Sequence, residues 1–350
     1  MSLNTRVLKI NPTAPESAII QQAADILRAG GLVAFPTETV YGLGANALDA
    51  AALERIFAAK QRPTTDPIIA HIHDWSQLDQ LAVEIPPLTF TLIDTFWPGP
   101  LTLILKRAPG IPANIAAGRD TIAVRMPAHP VARALIAAAG VPVAAPSANT
   151  FTRPSATTAA HVIEDLNGRI DLVLDGGAAL IGMESTVLDL LQTPPVVLRP
   201  GGVSLEALRQ VVPDVRLAPG YLKDSEAASA PGQMLKHYAP RARVIVFTGT
   251  AHEAVLAAMQ QYAQAQQNAG QRVGVMVVLD EGRYFPAPTV TVWLGGNMAD
   301  ISRRFFVALR ALDHSEVNVI LVRDFGREGL GAALWDRMLR AAEGEIIPVG

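Results

Sequence analysis

The chain contains no cysteine, and only five of its 29 lysines and arginines are lysines. The missing cysteine excludes disulfides, thiolate zinc sites and cysteine nucleophiles together. No apolar run approaches the ~20 residues that a membrane-spanning helix needs, and the first residues lack the apolar core of a signal peptide. These absences predict a cytoplasmic protein without membrane association.

An excess of positive charge is also missing. The net charge is −3, and residues 1–200 carry 14 lysines and arginines against 17 acidic residues. A broad nucleic-acid-binding face is therefore not expected, and any contact with a polyanion should be local. A length of 350 residues, half of them apolar, predicts two well-packed domains.

Alternating strand and helix patterns predict the domain organisation. Residues 16–29 have helical apolar spacing and end at Gly30-Gly31, a plausible helix C-cap. Strand-like and helical segments then alternate to about residue 212, which is typical of an α/β sheet domain. Residues 213–240 have the proline-rich and polar composition of a linker, and a second α/β pattern fills residues 241–350.

Several common catalytic motifs are missing or weak. No Gly-Lys dipeptide occurs, which excludes a P-loop. The segment from Gly42 to Ala47 imitates a dinucleotide-binding turn, so an oxidoreductase is a minor alternative, although residues 36–39 form a polar insertion that such a fold would not have. His71 and His73 would share one face of a strand, where surface or edge positions are favoured over a metal pair.

The turn Lys60-Gln61-Arg62-Pro63 is the first candidate site. It follows a predicted helix over residues 49–59, which Pro63 should end. Lysine and arginine at such a turn can hold a triphosphate, one as a point charge and the other as a planar fork. Basic residues in a last helical turn also complement the helix dipole, so the turn alone leaves both interpretations open.

Polar residues at other strand ends extend this pattern. Ser147 and Asn149 follow the apolar strand 141–145, and the polar stretch continues through Ser155 to the next helix, which suits phosphate or ribose oxygens as well as ordinary capping. Arg125 ends another apolar strand and needs an anionic partner if buried, either a substrate carboxylate or an internal acid. Segments 184–186 and 199–202 also place polar residues at the ends of predicted strands.

Taken in order, these segments resemble the YrdC family, in its long two-domain form. The resembling stretches are Ala34-Phe-Pro-Thr-Glu-Thr-Val-Tyr-Gly-Leu-Gly, Lys60-Gln-Arg-Pro, Trp97-Pro-Gly-Pro-Leu-Thr, Val124-Arg-Met-Pro, Ala145-Pro-Ser-Ala-Asn, Arg153-Pro-Ser, Glu184-Ser-Thr, Leu198-Arg-Pro-Gly and Pro231-Gly-Gln-Met-Leu-Lys-His-Tyr-Ala-Pro240.

The resemblance implies an α/β fold, with a YrdC-like twisted-sheet catalytic domain (1–212), a linker lying over the active site (213–240) and a smaller Rossmann-like α/β C-terminal domain (241–350). It assigns Lys60 and Arg62 to catalysis. It implies ATP contacts by Lys60, Arg62, Asp66, Thr121, Ser147, Asn149, Ser155, Arg199, His237 and Tyr238, and threonine contacts by Thr39, His71, Arg125, Ala145 and Ser185. Asp66 departs from the family, where asparagine is frequent, and should repel a triphosphate unless Mg²⁺ or Arg62 intervenes.

The implied activity is that of a nucleotidyltransferase. L-threonine, bicarbonate or CO₂, and ATP with Mg²⁺ would give threonylcarbamoyl-adenylate and pyrophosphate, the first step of a tRNA modification. Downstream threonylcarbamoyl-transfer proteins would be partners. No protein side chain is assigned as a metal ligand, and Asp66 is left open as a contact to ATP or to the metal. The alternative is an RNA-binding module without catalysis, although the acidic balance disfavours RNA as the primary ligand.

Overall fold

The computed structural model describes residues 3–218 and 238–350. The chain divides into two compact units, Met1–Phe151 with Ser155–Gln233 and Thr152–Pro154 with Met234–Gly350. Most of the predicted linker, residues 219–237, lies outside the described residues, and so does most of its family-resembling stretch from Pro231. Its first part contains a short strand, and Tyr238 is described.

The first unit alternates strands and helices as the sequence pattern predicts. Its strands are β1 (Arg6–Lys9), β2 (Val33–Pro36), β3 (Tyr41–Asn46), β4 (Ile69–His71), β5 (Ala82–Val83), β6 (Leu101–Arg107), β7 (Thr121–Arg125), β8 (Val143–Ala144), β9 (Leu172–Asp175), β10 (Thr186–Asp189), β11 (Val196–Arg199) and β12 (Arg216–Leu217). Its helices are α1 (Ser17–Arg28), α2 (Ala50–Lys60), α3 (Leu78–Leu81), α4 (Leu88–Phe96), α5 (Pro130–Ala139), α6 (Ala159–Leu166) and α7 (Leu205–Val211).

Within the described residues, the strands of this unit form one twelve-stranded mixed sheet. Their order is β1-β9-β2-β3-β8-β4-β7-β6-β10-β11-β12, and β5 pairs with β6. Strands β4 and β7 run parallel, with His71 opposite Arg125 at their ends. Among the clusters of buried apolar side chains in this unit, one joins α1 and α5 to β2 and β9. The α/β sheet domain predicted from the sequence is confirmed.

The segment from Gly42, whose glycine spacing resembles a dinucleotide-binding turn, forms strand β3 in the structure. Gly42 and Gly44 pair antiparallel with β2. A Cβ on Gly44 would lie 2.8 Å from Phe35 and 2.9 Å from Val143, so these glycines let side chains of neighbouring strands pack against the backbone. A dinucleotide-binding turn would be a loop that leads into a helix, whereas this segment is a strand of the sheet. The dinucleotide-turn interpretation is therefore wrong, and with it the oxidoreductase alternative.

The second unit contains a smaller α/β domain. It has the strands β13 (Arg243–Thr248), β14 (Val273–Val277), β15 (Val290–Trp293), β16 (Val319–Arg323) and β17 (Ile346–Pro348), and the helices α8 (His252–Asn268), α9 (Met298–His314) and α10 (Leu330–Ala341). All strand pairs are parallel, in the order β15-β14-β16-β13-β17. The Rossmann-like prediction for this domain is confirmed. Within the two described stretches, no helix combines the length and apolar character needed to cross a membrane.

Candidate functional site

Two buried cations, Lys60 and Arg62, lie at the turn that follows α2. Helix α2 ends at Lys60, and Gln61 adopts the left-handed conformation with φ of 55°. The backbone N–H of Arg62 donates to Phe57 O at 2.9 Å, and that of Gln61 to Ala58 O at 3.2 Å. This is the Schellman arrangement, formed here without glycine.

The Lys60 ammonium is buried and anchors the polar segment that follows β8. Its Nζ donates to Ser147 O at 2.5 Å and also to Asn149 O. The backbone N–H of Phe151 donates in return to Lys60 O at 2.9 Å. Charge-assisted hydrogen bonds of this kind contribute roughly 1.5–3 kcal/mol each. Lys60 therefore fixes the backbone of the 147–151 loop as well as supplying positive charge.

Asp66 lies among three cations. Its carboxylate forms a buried ion pair with Arg62 Nη2 at 3.0 Å, while neither carboxylate oxygen accepts a hydrogen bond within the described part of the chain. Burial raises the pKa of Asp66, and the positive charges of Arg62, Lys60 and Arg199 oppose that rise. The positive charges of Lys60, Arg62 and Arg199, three residues that the family resemblance assigns to ATP, thus all act on Asp66.

Arg199 and Ser185 join the ends of two further strands. Arg199 ends β11 and donates from Nε and Nη2 to Ser185 O, at 3.2 and 2.8 Å. The Ser185 hydroxyl accepts from Arg199 Nη2 at 3.2 Å and lies 2.7 Å from the Thr102 hydroxyl. Both side chains are buried. Ser185 therefore contacts the same arginine that faces Asp66.

The segments carrying Ser147 and Ser155 both border β3. Gly42 forms a bridge with Ser147, and Tyr41 N–H donates to Ala156 O at 2.8 Å. The buried Ser155 hydroxyl donates to the Glu184 carboxylate. Strand β3 thus contacts the backbone of two separate segments that the sequence analysis selected for their polar residues.

Arg125 has an internal acidic partner. Its Nη2 is 2.6 Å from Glu38 Oε1, its Nη1 donates to Thr39 Oγ1 at 3.0 Å, and its Nε donates to Gly99 O at 3.2 Å. The side chains of Arg125 and Glu38 are only 4% and 8% exposed. Of the two partners that the sequence left open for Arg125, the structure contains the internal acid.

His71 is buried at the end of β4 and donates a hydrogen bond to a backbone carbonyl. Its Nδ1 lies 3.2 Å from Ile69 O, and a carbonyl only accepts, so Nδ1 carries the proton and Nε2 keeps its lone pair. Burial, and next the positive charge of Arg125, lower the pKa of His71 to about 3. The surface interpretation of His71 is wrong because the neighbouring strands β7 and β8 cover it.

The low pKa of His71 predicts an acid-dependent loss of stability. The unfolded histidine binds a proton below its ordinary pKa of about 6.5, whereas the folded one stays neutral down to about 3. The stabilisation is complete above the unfolded pKa and falls as the pH decreases, by about 1.4 kcal/mol per pH unit. Urea unfolding of wild type and His71→Gln at pH 7, 6 and 5 should show a shallower acid decline for the variant. His73→Gln is the neighbouring control, and parallel curves for wild type and His71→Gln would contradict the prediction.

Other predicted site residues lie apart or outside the described residues. Ala145 is buried beside β4, with its N–H donating to Ile69 O at 2.9 Å, close to His71. Thr121 begins β7, where it lies opposite Lys106 of β6. Arg125 is at the other end of β7, four residues and roughly 13 Å away, so Thr121 and Arg125 do not lie together. Tyr238 packs in the second unit, 5.2 Å from the Phe306 ring centroid. His237 lies outside the described residues.

Two carboxylates of the site were not predicted as site residues. Glu38 pairs with Arg125, and Glu184 accepts from Ser155. Both belong to stretches that carried the family resemblance. A usable signal was present for Glu38, because an acid between two apolar strands must find a cation or a donor once it is buried.

The described residues contain no group of three or more histidine and carboxylate side chains that could hold a metal ion. One carboxylate suffices for Mg²⁺ bound together with substrate phosphates, because this ion keeps several waters and takes few protein ligands. Asp66, whose oxygens accept no hydrogen bond from the described residues, fits such a role.

The fold is that of a two-unit α/β protein, and its first unit contains several buried cations at strand and helix ends. A family model described as telomere recombination, for the Sua5, YciO and YrdC proteins, matches residues 25–201, and a model described as the threonylcarbamoyl-AMP synthase C-terminal domain matches residues 203–343. The chain belongs to the two-domain threonylcarbamoyl-AMP synthase family.

Full-length relatives agree with this assignment. The chain is 46% identical to a threonylcarbamoyl-AMP synthase of Pyrococcus abyssi, over 94% of this chain and 96% of the relative. It is 41% identical to that of Bacillus subtilis, over 94% of each. The crystal structure of P. abyssi Sua5 complexed with L-threonine superposes with a TM-score of 0.94 at 44% identity, covering 99% of this chain and all of the other.

Proposed function

We propose that this chain makes threonylcarbamoyl-adenylate and pyrophosphate from L-threonine, bicarbonate or CO₂, and ATP. The observation that carries the proposal is the set of buried cations, with Lys60, Arg62 and Arg199 around Asp66 and with Arg125 at the end of β7. The first set suits a triphosphate and the second an amino-acid carboxylate. The proposed reaction is also supported by the relatives, since one is named threonylcarbamoyl-AMP synthase and the P. abyssi structure is complexed with L-threonine.

The proposed chemistry begins at the threonine nitrogen. The free amine attacks CO₂, a C–N bond forms, and loss of one proton leaves a carbamate. A carbamate oxygen then attacks the α-phosphorus of ATP, the bond from that phosphorus to the bridging oxygen breaks, and pyrophosphate leaves with the electron pair. The product is a mixed anhydride of the carbamate and AMP.

This reaction requires alignment and charge neutralisation more than a nucleophilic side chain. Two anions must approach each other while negative charge grows on the leaving pyrophosphate. Arg62 and Arg199 would stabilise that charge, and Lys60 would both neutralise it and hold the 147–151 loop. Asp66 would be the protein ligand of a Mg²⁺ ion bound with ATP, whose positive charge would help to neutralise the phosphates.

Arg125, His71 and Thr39 would select the amino acid. Arg125 offers a guanidinium to the carboxylate. The acceptor Nε2 of neutral His71 suits a hydroxyl donor such as the threonine side chain, and Thr39 already contacts Arg125. Because His71 stays unprotonated, it cannot serve as a cationic ligand for the carboxylate.

Direct product detection tests the proposal. The full chain is incubated with ATP, L-threonine, bicarbonate and MgCl₂, and threonylcarbamoyl-adenylate and pyrophosphate are quantified by mass spectrometry and a coupled assay. Both should appear in equal amounts and depend on threonine. Reactions without threonine or bicarbonate are the controls, and absence of a threonine-dependent adenylate would overturn the proposal.

The later steps belong to the same proposal. The adenylate would pass to threonylcarbamoyl-transfer proteins that modify tRNA, in the cytoplasm. Non-catalytic RNA binding has less support, because the net charge is negative. A salt-dependent RNA titration beside the pyrophosphate assay separates the two functions.

A further inference from the structure

Glu38 is held in place by contacts at its backbone and at both carboxylate oxygens. Oε1 accepts from Arg125 Nη2 at 2.6 Å, and Oε2 accepts from the backbone N–H of Ala128 at 3.1 Å. Its backbone carbonyl accepts from Ile181 N–H at 2.8 Å. The neighbouring Thr39 carbonyl accepts from Gly182 N–H at 3.0 Å, so a second segment of the chain fixes this turn.

We infer that Glu38 is a positioning residue for the substrate carboxylate, acting through Arg125. This rests on the proposed function, in which Arg125 binds the carboxylate of threonine. A guanidinium has five N–H donors in one plane. Three of its hydrogen bonds go to Glu38, Thr39 and Gly99, which fixes the direction of that plane and leaves donors on Nη1 and Nη2 for a ligand.

The burial of the pair explains why a carboxylate is needed for this task. A cation removed from water must be paired, and Arg125 is buried in the structure. The Thr39 hydroxyl and the Gly99 carbonyl are neutral acceptors, so Glu38 supplies the charge among these three. Its two fixed oxygens also keep the arginine from sampling other rotamers, which lowers the entropy lost when a ligand binds.

The decisive experiment compares two ligands on one conservative variant. L-Threonine carries the carboxylate, whereas L-threoninol keeps the amine and the side-chain hydroxyl without it. Isothermal titration of the full chain gives the dissociation constant of each ligand for wild type and Glu38→Gln. The variant keeps the size of the side chain but removes its charge and disturbs the acceptor at Ala128.

The threonine dissociation constant should rise about 30-fold or more in Glu38→Gln, as is usual when one member of a buried charge pair is removed. The threoninol constant should change less than about threefold, the usual limit for uncoupled sites. Glu38→Asp, which keeps the charge but retracts the carboxylate, should also weaken threonine selectively. It serves as the test if Glu38→Gln does not fold, as judged by thermal unfolding.

Three outcomes would overturn the inference. Equal weakening of both ligands would mean that Glu38 binds the amine or only supports the fold. Unchanged threonine affinity would remove any role, and tighter threonine binding would mean that Glu38 competes with the substrate for Arg125. Failure of the wild-type protein to bind threonine would instead count against the proposed function.

Discussion

Replacing Arg125 with alanine should raise the threonine concentration for half-maximal adenylate formation about 100-fold, while the ATP requirement changes little. Loss of a buried charge-pair partner costs roughly 2–5 kcal/mol, and each 1.4 kcal/mol is a factor of ten. Arg125 is the cation at the end of β7 beside His71, and the variant would lose its paired N–H donors. Steady-state kinetics with each substrate varied in turn measures both requirements.

A matched control separates this effect from a general loss of stability. Arg55→Ala removes the arginine of a more exposed pair, in which Nη2 lies 2.9 Å from Asp171 Oδ2 at the edge of the same unit. It should leave both substrate requirements unchanged. Unaltered threonine dependence in Arg125→Ala, or an equal rise for both substrates, would rule out the carboxylate-binding role.

Most helices and strands with regular apolar spacing could be predicted from the sequence. A strand rich in glycine could not, because its residues show no alternation of side chains. Helix α2 closely follows the helix predicted over residues 49–59, and Pro63 comes shortly after its end. Strand β3 was missed because Gly42 and Gly44 have no side chain to alternate between its two faces. Helix α4 was missed as well. Its exposed face carries Phe90, Thr91 and Thr95 beside a single charged residue, Asp94, so the sequence shows no clear polar face.

Contacts within the site were also hard to predict, because many partners lie far apart along the chain. Lys60 and Arg62 could be selected locally, because they share one turn. Arg125 and Glu38 are 87 residues apart, and Ser155 and Glu184 are 29 apart, so only the sheet brings these partners together. Spacing along the chain therefore shows that a buried arginine needs an anion but cannot decide between a substrate and an internal acid.

Replacing Lys60 with methionine should raise the ATP requirement about 100-fold or more and also lower the unfolding temperature. Methionine has a similar length but lacks the ammonium that donates to the carbonyls of Ser147 and Asn149. Two lost charge-assisted bonds, at roughly 1.5–3 kcal/mol each, would release the 147–151 loop and remove one positive charge from the set around Asp66.

The pattern of losses distinguishes this role from simple destabilisation. Threonine binding without ATP, measured by isothermal titration below the unfolding transition, should stay within about threefold of wild type. Lys60 donates to carbonyls of the 147–151 loop, whereas Arg125 donates to Glu38, Thr39 and Gly99. Lys106→Met is the control, because that lysine pairs with Glu84 at the exposed end of β6 and should change neither requirement. If Lys60→Met lost threonine binding and ATP binding together, the lysine would be supporting the whole sheet. If it kept the wild-type ATP requirement, the loop that it anchors could not be part of the nucleotide site.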